Sequence, residues 1–156
     1  MKIDVKKLAI CIAIPLIVGG VSALISGGGM RAFNELNKPP LSPPGWLFPV
    51  VWTALYILMG IASYLVLVSG EEEAKVMSAL KVYGLQLAFN FFWSIIFFNL
   101  ESYLFAFVWL VALWILILLT MIKFFRIREA AGYLLLPYLA WVTFAGYLNL
   151  GIYLLN

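Results

Sequence analysis

The sequence predicts an all-α membrane protein, one domain over residues 1–156 built as a bundle of five transmembrane helices. Three observations carry that expectation. Of the 156 residues, 65% are hydrophobic and 11% charged, and the mean hydropathy is +1.07; a soluble domain is about half apolar and about a quarter charged. Five separate stretches each reach the roughly 20 mainly apolar residues that cross a bilayer. The basic residues between them are biased by side: Lys2, Lys6, Lys7, Lys75, Lys81, Lys123, Arg126 and Arg128 fall on one side of such a bundle, Arg31 and Lys38 on the other. Positive residues stay inside. The chain therefore reads as a multi-pass membrane protein with a cytoplasmic N-terminus, its first loop and C-terminus facing outward.

The first helix is expected at residues 8–26. Its lysine-rich start resembles a signal peptide, but the apolar run is long enough to span and four more follow, so it reads as a retained helix. Pro15 should kink it unless neighbours satisfy the freed carbonyl. Gly19, Ala23 and Gly27 repeat every four residues, a pattern that lets another helix approach closely. A capping loop follows over residues 27–45. Pro39, Pro40, Pro43 and Pro44 fix φ and lack N–H donors, which predicts a stiff, extended cap. The second helix is expected at 46–69, with Pro49 in its first turn, where a missing donor costs little. Trp52, Tyr56, Met59, Gly60 and Ser63 share one of its faces. After a charged turn with Glu71, Glu72, Glu73 and Lys75 come helices at 76–100, 102–122 and 130–155. Short connections make helices two to five antiparallel neighbours. No internal repeat is visible, which counts against an inverted-repeat transporter.

Several functions are excluded. There is no histidine, and Cys11 is the single cysteine, so neither a metal centre nor a disulfide framework is expected within one chain, and no cofactor. A net charge of +3 gives no case for nucleic acid. No Asp, Glu, Lys or Arg lies deep in any predicted helix, which argues against ion-coupled transport and removes conventional acid–base catalysis.

What remains in the membrane is polar and uncharged. Gln86, Asn90 and Trp93 share a face of helix three; amides are costly to expose to lipid, so this face should point inward. In helix five, Trp141, Ala145 and Asn149 repeat every four residues, with Leu148 beside them and Pro137 one turn before. With Trp52 from helix two, three tryptophans can converge on one cavity suited to a large, flat, mostly apolar ligand. The plainer reading of Trp and Tyr is an interfacial belt, and of Asn and Gln helix–helix glue. Trp46 reads as belt. Trp109 and Trp114 have no polar companion at helical spacing and read as packing or lipid-facing residues.

Several blocks in order resemble one family. They are Lys38-Pro39 with Pro43-Pro44, then Val51-Trp52-x-x-Leu55-Tyr56-x-x-Met59-Gly60. Gln86-Leu87-Ala88-x-Asn90-x-x-Trp93 follows, and finally Pro137-Tyr138-Leu139-Ala140-Trp141-x-x-Phe144-x-x-x-Leu148-Asn149. This arrangement resembles the translocator protein family, also called the tryptophan-rich sensory protein or peripheral benzodiazepine receptor family. The resemblance implies a membrane receptor or sensor for porphyrins (protoporphyrin IX or haem-like tetrapyrroles) and benzodiazepine-type drugs, supporting tetrapyrrole transport, and commonly a homodimer. It implies ligand contacts at Trp52, Tyr56, Gln86, Asn90, Trp93, Trp141, Ala145 and Leu148, with Arg31 and Lys38 as propionate contacts. The alternative it carries is light-dependent porphyrin degradation, in which Trp52 and Trp141 would be the catalytic residues. The chain departs from the family pattern at Leu41, where a tryptophan is usual, at Ala32-Phe33, where an aromatic pair is common, and at Pro49, one residue early. It also lacks the C-terminal cholesterol-recognition pattern, with Leu150 in the tyrosine position and no basic residue after Arg128, which within the resemblance fits a bacterial member, placed in the bacterial cell membrane.

Overall fold

A computed structural model describes residues 2–27 and 33–156. The described residues form α1 (Val5–Ile25), α2 (Leu47–Leu67), α3 (Glu73–Ser94), α4 (Tyr103–Ile127), α5 (Glu129–Leu134) and α6 (Leu136–Leu155). A π-helical turn, Ile95–Asn99, continues α3. Five spans are long and apolar enough to cross a membrane, with α5 and α6 together making the fifth, Glu129–Leu155. The five-helix expectation holds, with ends displaced by a few residues; the largest shift is at α4, which continues to Ile127 rather than stopping at residue 122.

Local chemistry explains the breaks. Asp4 caps α1 by accepting from the Lys7 amide (3.1 Å), and its own amide donates to the Tyr64 hydroxyl of α2 (2.9 Å). The first helix runs through Pro15 as one unbroken element. Pro137 acts differently: it falls in the first turn of α6, where its missing donor is harmless, so the fifth span stops at Leu134 and restarts at Leu136.

The packing closes a ring. α1 lies against α2 and α3, α3 against α4, α4 against α5 and α6, and α5 returns to α2. The expected antiparallel neighbours are therefore found for α3 with α4 and for α4 with the fifth span. The exception is α2 and α3, which touch only sparsely despite their short connection. What separates them is α1. Gly60 on α2 meets the backbone of Cys11 and Ile12 directly, so α1 can seat deeply there. The core between the spans is apolar, with Met59, Leu113, Ile117, Phe124 and Val142 essentially buried.

The proline segment is not the extended cap that its prolines predict. It turns at Pro40–Leu41, where Leu41 takes φ 70°, and Ser42 Oγ donates back to the Pro39 carbonyl (2.7 Å). It is nevertheless tied down. Pro39 packs on Gly151, and the Tyr147 hydroxyl donates to the Pro40 carbonyl (2.6 Å). Asn156 Nδ2 donates to the Asn37 carbonyl (2.8 Å). The loop is thus fastened to the C-terminal half of α6.

Two tryptophans read as packing or lipid-facing residues, Trp109 and Trp114, do pack against the core and also find polar partners. Trp109 Nε1 donates to the Phe89 carbonyl (2.8 Å), and the indole stacks on the Phe89 ring at 4.3 Å. Trp114 Nε1 donates to Thr143 Oγ1 (2.8 Å). Both do have polar companions. These lie on neighbouring helices, which spacing along α4 cannot reveal.

Candidate functional site

The loop-side half of the bundle holds a cavity of about 290 Å³, partly open at one side. Four spans build its wall. α1 contributes only small residues, among them Gly19, Ser22 and Ala23; α2 contributes Pro49, Trp52 and Tyr56. From α6 come Trp141, Ala145, Leu148, Asn149 and Ile152. From α3 and the turn that continues it come Trp93, Ser94, Phe97 and Phe98, two pairs four residues apart and so on one face. The π-helical turn is closed by the Leu100 amide donating to the Ile95 carbonyl, five residues back (3.0 Å). Phe33 from the loop and Phe48 complete the lining. α4 stands outside, propping α3 and α6.

Among the described residues the wall carries no charge. Its aromatic rings hold one another: Trp52 stacks on Tyr56 (5.5 Å), Trp93 on Phe97 (5.2 Å), and Phe48 meets Trp141 edge-on (5.9 Å). Each indole also has a distinct polar state. Trp93 Nε1 donates to Asn149 Oδ1 (3.1 Å), whose amide nitrogen donates to the Tyr103 carbonyl (2.8 Å). Trp141 Nε1 is buried with no partner among the described residues.

Beneath the cavity runs a chain of four side chains. The Tyr56 hydroxyl donates to Asn90 Oδ1 (2.8 Å), Asn90 Nδ2 donates to the Tyr138 hydroxyl (2.8 Å), and that hydroxyl donates to Gln86 Oε1 (2.6 Å). All four residues are buried. In a bilayer this matters twice. It satisfies groups that lipid cannot, and it pins α2, α3 and α6 to one another.

Of the residues expected to contact a ligand, Trp52, Tyr56, Asn90, Trp93, Trp141, Ala145 and Leu148 all border the cavity. Gln86 does not. It lies one helical turn below Asn90 and is 1% exposed, covered by Tyr138. Lys38 does not border it either: its ammonium sits 5.1 Å from the Phe33 ring centroid and donates to the Asn34 carbonyl (3.3 Å). Arg31 lies outside the described residues. Phe33, Phe48, Phe97 and Phe98 are additions that the sequence reading missed. Among the described residues no group of three His, Cys, Asp or Glu side chains stands together to hold a metal.

Comparison with known proteins is consistent across the chain. The profile of the TspO/MBR family matches residues 11–155. A tryptophan-rich protein TspO from Chlorobaculum tepidum is 42% identical, the alignment covering 100% of this chain and 99% of that protein. A protein of the same description from Archaeoglobus fulgidus is 36% identical over 98% of this chain and 99% of its own length. The human translocator protein is 36% identical over 82% of this chain and 76% of its own.

Proposed function

The chain belongs to the TspO/MBR family, and from that premise we propose that it is a membrane receptor for flat, largely apolar tetrapyrroles and benzodiazepine-type drugs. One observation supports this reading above the others: Trp52, Trp93 and Trp141, from three different spans, border one cavity whose described lining carries no charge. Indole faces offer large apolar area with little conformational entropy to lose. A volume of about 290 Å³ is at the low end for drug-sized ligands, which use roughly 300–1,000 Å³. A bicyclic or tricyclic drug fits within it. A porphyrin would insert one edge between the indoles and leave its propionates outside, toward Lys38 and Arg31 on the loop side. With no charged group among the described wall residues, affinity comes from stacking and area. Asn90 supplies the polar anchor.

The test is a titration of the purified protein with protoporphyrin IX, followed by tryptophan fluorescence. Trp141→Phe removes indole area and Asn90→Ala removes the anchor and unpins Tyr56. Each is expected to weaken binding about tenfold, a loss of about 1.4 kcal/mol within the range for truncated contacts. Wild-type affinity in both variants would remove this cavity as the site.

The same reading puts the cavity in the outer half of the membrane, because the loop side carries few basic residues. A membrane-impermeant thiol reagent on intact cells is then expected to label a cysteine placed at the exposed Leu41 and to spare one at the exposed Glu72. The reverse pattern would turn the protein over.

A further inference from the structure

The four-residue chain under the cavity has a direction, and its two ends do not match. Every link donates away from the cavity, from Tyr56 to Asn90 to Tyr138 to Gln86. The cost of that direction appears at the far end, where Gln86 Nε2 is buried without a partner among the described residues. An orphaned buried N–H donor is rarer and costlier than an under-used carbonyl oxygen. Turning both amides by half a rotation exchanges each oxygen for a nitrogen without moving any ring. Gln86 Nε2 would then donate to the Tyr138 oxygen, Tyr138 to Asn90 Oδ1, and Asn90 Nδ2 to the Tyr56 oxygen. Gln86 would be left with a spare carbonyl and its second N–H, in place of a nitrogen with no partner at all. The deficit moves to the other end: the Tyr56 proton loses its acceptor and must find one in the cavity.

We propose that Tyr56, Asn90, Tyr138 and Gln86 form a reversible hydrogen-bond relay that sets the polarity the cavity wall presents. The wall then offers a hydroxyl lone pair to a ligand N–H or a hydroxyl proton to a ligand carbonyl. This deepens the receptor reading and rests on it. Each direction leaves one group unpaired, so neither excludes the other and the ligand decides between them. An N–H donor on the ligand holds the observed direction; a carbonyl acceptor satisfies the Tyr56 proton and draws the relay the other way. Gln86 and Tyr138 touch no ligand in this scheme. They are positioning residues that act through Asn90 and Tyr56. A cavity built this way accepts ligands of opposite hydrogen-bonding sense at one point of an otherwise apolar wall.

The relay is tested with two tricyclic probes of nearly the same shape, carbazole, which carries an N–H donor, and 9-fluorenone, which carries a carbonyl acceptor. Binding of each is measured by calorimetry on the full chain in lipid nanodiscs. In Gln86→Met, Tyr138 has no acceptor on its far side and donates to Asn90, which fixes the reversed direction. The ratio of the carbazole Kd to the fluorenone Kd is expected to rise about fivefold, the worth of roughly one neutral hydrogen bond. Gln86→Leu is expected to do the same and serves if the methionine variant does not fold. In a Tyr56→Phe background the wall has no hydroxyl, and Gln86→Met should leave the ratio where Tyr56→Phe alone puts it. Equal change in both Kd values, or a shift in the ratio that persists without the Tyr56 hydroxyl, overturns the relay while leaving the cavity as a binding site. Failure of both probes to bind the wild type removes the cavity as a receptor site for such ligands, and the relay with it.

Discussion

Gly60→Ala is expected to destabilise the bundle by about 2–3 kcal/mol, the cost of forcing one methyl group into a closed contact. The new Cβ would stand 2.7 Å from the Cys11 carbonyl oxygen and closer still to the Ile12 Cα. Both are backbone atoms, so no rotamer change relieves the conflict and α1 has to move off α2. Besides this contact, α1 is held by a few hydrogen bonds, from the Asp4 amide to the Tyr64 hydroxyl, from Ser22 Oγ to the Phe91 carbonyl (2.9 Å) and from Asn99 Nδ2 to the Ile25 carbonyl (3.0 Å). Its buried residues are only Cys11, Pro15, Gly19 and Ser22, while Ile10, Ile14, Ile17, Val21 and Leu24 are exposed in a stripe that suits lipid. Helices surrounded by lipid gain nothing from hydrophobic exclusion, so close backbone packing and interhelical hydrogen bonds carry their association. Gly20→Ala is the matched control. It makes the same chemical change on α1, turned about 100° around the axis from Gly19, where a Cβ meets nothing within 4 Å, and should stay within about 0.5 kcal/mol of wild type. Unfolding in mixed detergent, followed by far-ultraviolet circular dichroism, gives both values. Equal effects of the two substitutions would mean that the α1–α2 contact carries no stability.

The five spans were legible because each is a long apolar run with charged or glycine- and proline-rich ends, a signal that needs no knowledge of neighbours. The inward tryptophans were legible for a similar reason: Trp141, Ala145 and Asn149 keep strict spacing on α6, and Asn90 and Trp93 keep it on α3. The same spacing reaches further along the span: Phe97 lies four residues after Trp93 and Phe98 four after Ser94, and both border the cavity. Gln86 illustrates the limit. It shares a face with Asn90, as the spacing says, but one turn is about 5.4 Å of depth, and at that depth Tyr138 closes the space. Tyr138 was itself available as a signal, since a buried tyrosine hydroxyl in a span needs a partner. Following that requirement would have linked α6 to the amides of α3. Phe48, four residues before Trp52 on α2, was open to the same spacing argument, whereas Phe33 was not, because it lies on the loop and outside every span.

Gly19→Ala is expected to weaken ligand binding at least tenfold while costing less stability than Gly60→Ala. The difference lies in what the added methyl meets. At Gly19 it enters the space of the Tyr56 ring, 2.5 Å from Cζ, and a ring can swing aside where backbone cannot. The swing nevertheless has consequences for the cavity. Tyr56 is held on one side by stacking with Trp52 and at its tip by Asn90, so displacing it disturbs the indole and breaks the first link of the buried chain. Asn90 then loses its hydroxyl donor among the described residues, and a freed amide inside a bilayer seeks another partner, shifting α3 or turning toward the cavity. A substitution on α1, which offers no aromatic or amide side chain to the cavity wall, would therefore act on the site through Tyr56 alone. Titration of the Gly19→Ala protein with protoporphyrin IX measures the loss. Repeating it in a Tyr56→Leu background isolates the route: with the ring gone, the extra methyl has little to displace and should cost at most about twofold more, the few tenths of a kcal/mol seen for substitutions without a steric conflict. If Gly19→Ala binds like wild type, the Tyr56 ring is not what α1 holds in place. If instead the full loss persists in the Tyr56→Leu background, α1 shapes the cavity by its own backbone and the tyrosine is a bystander.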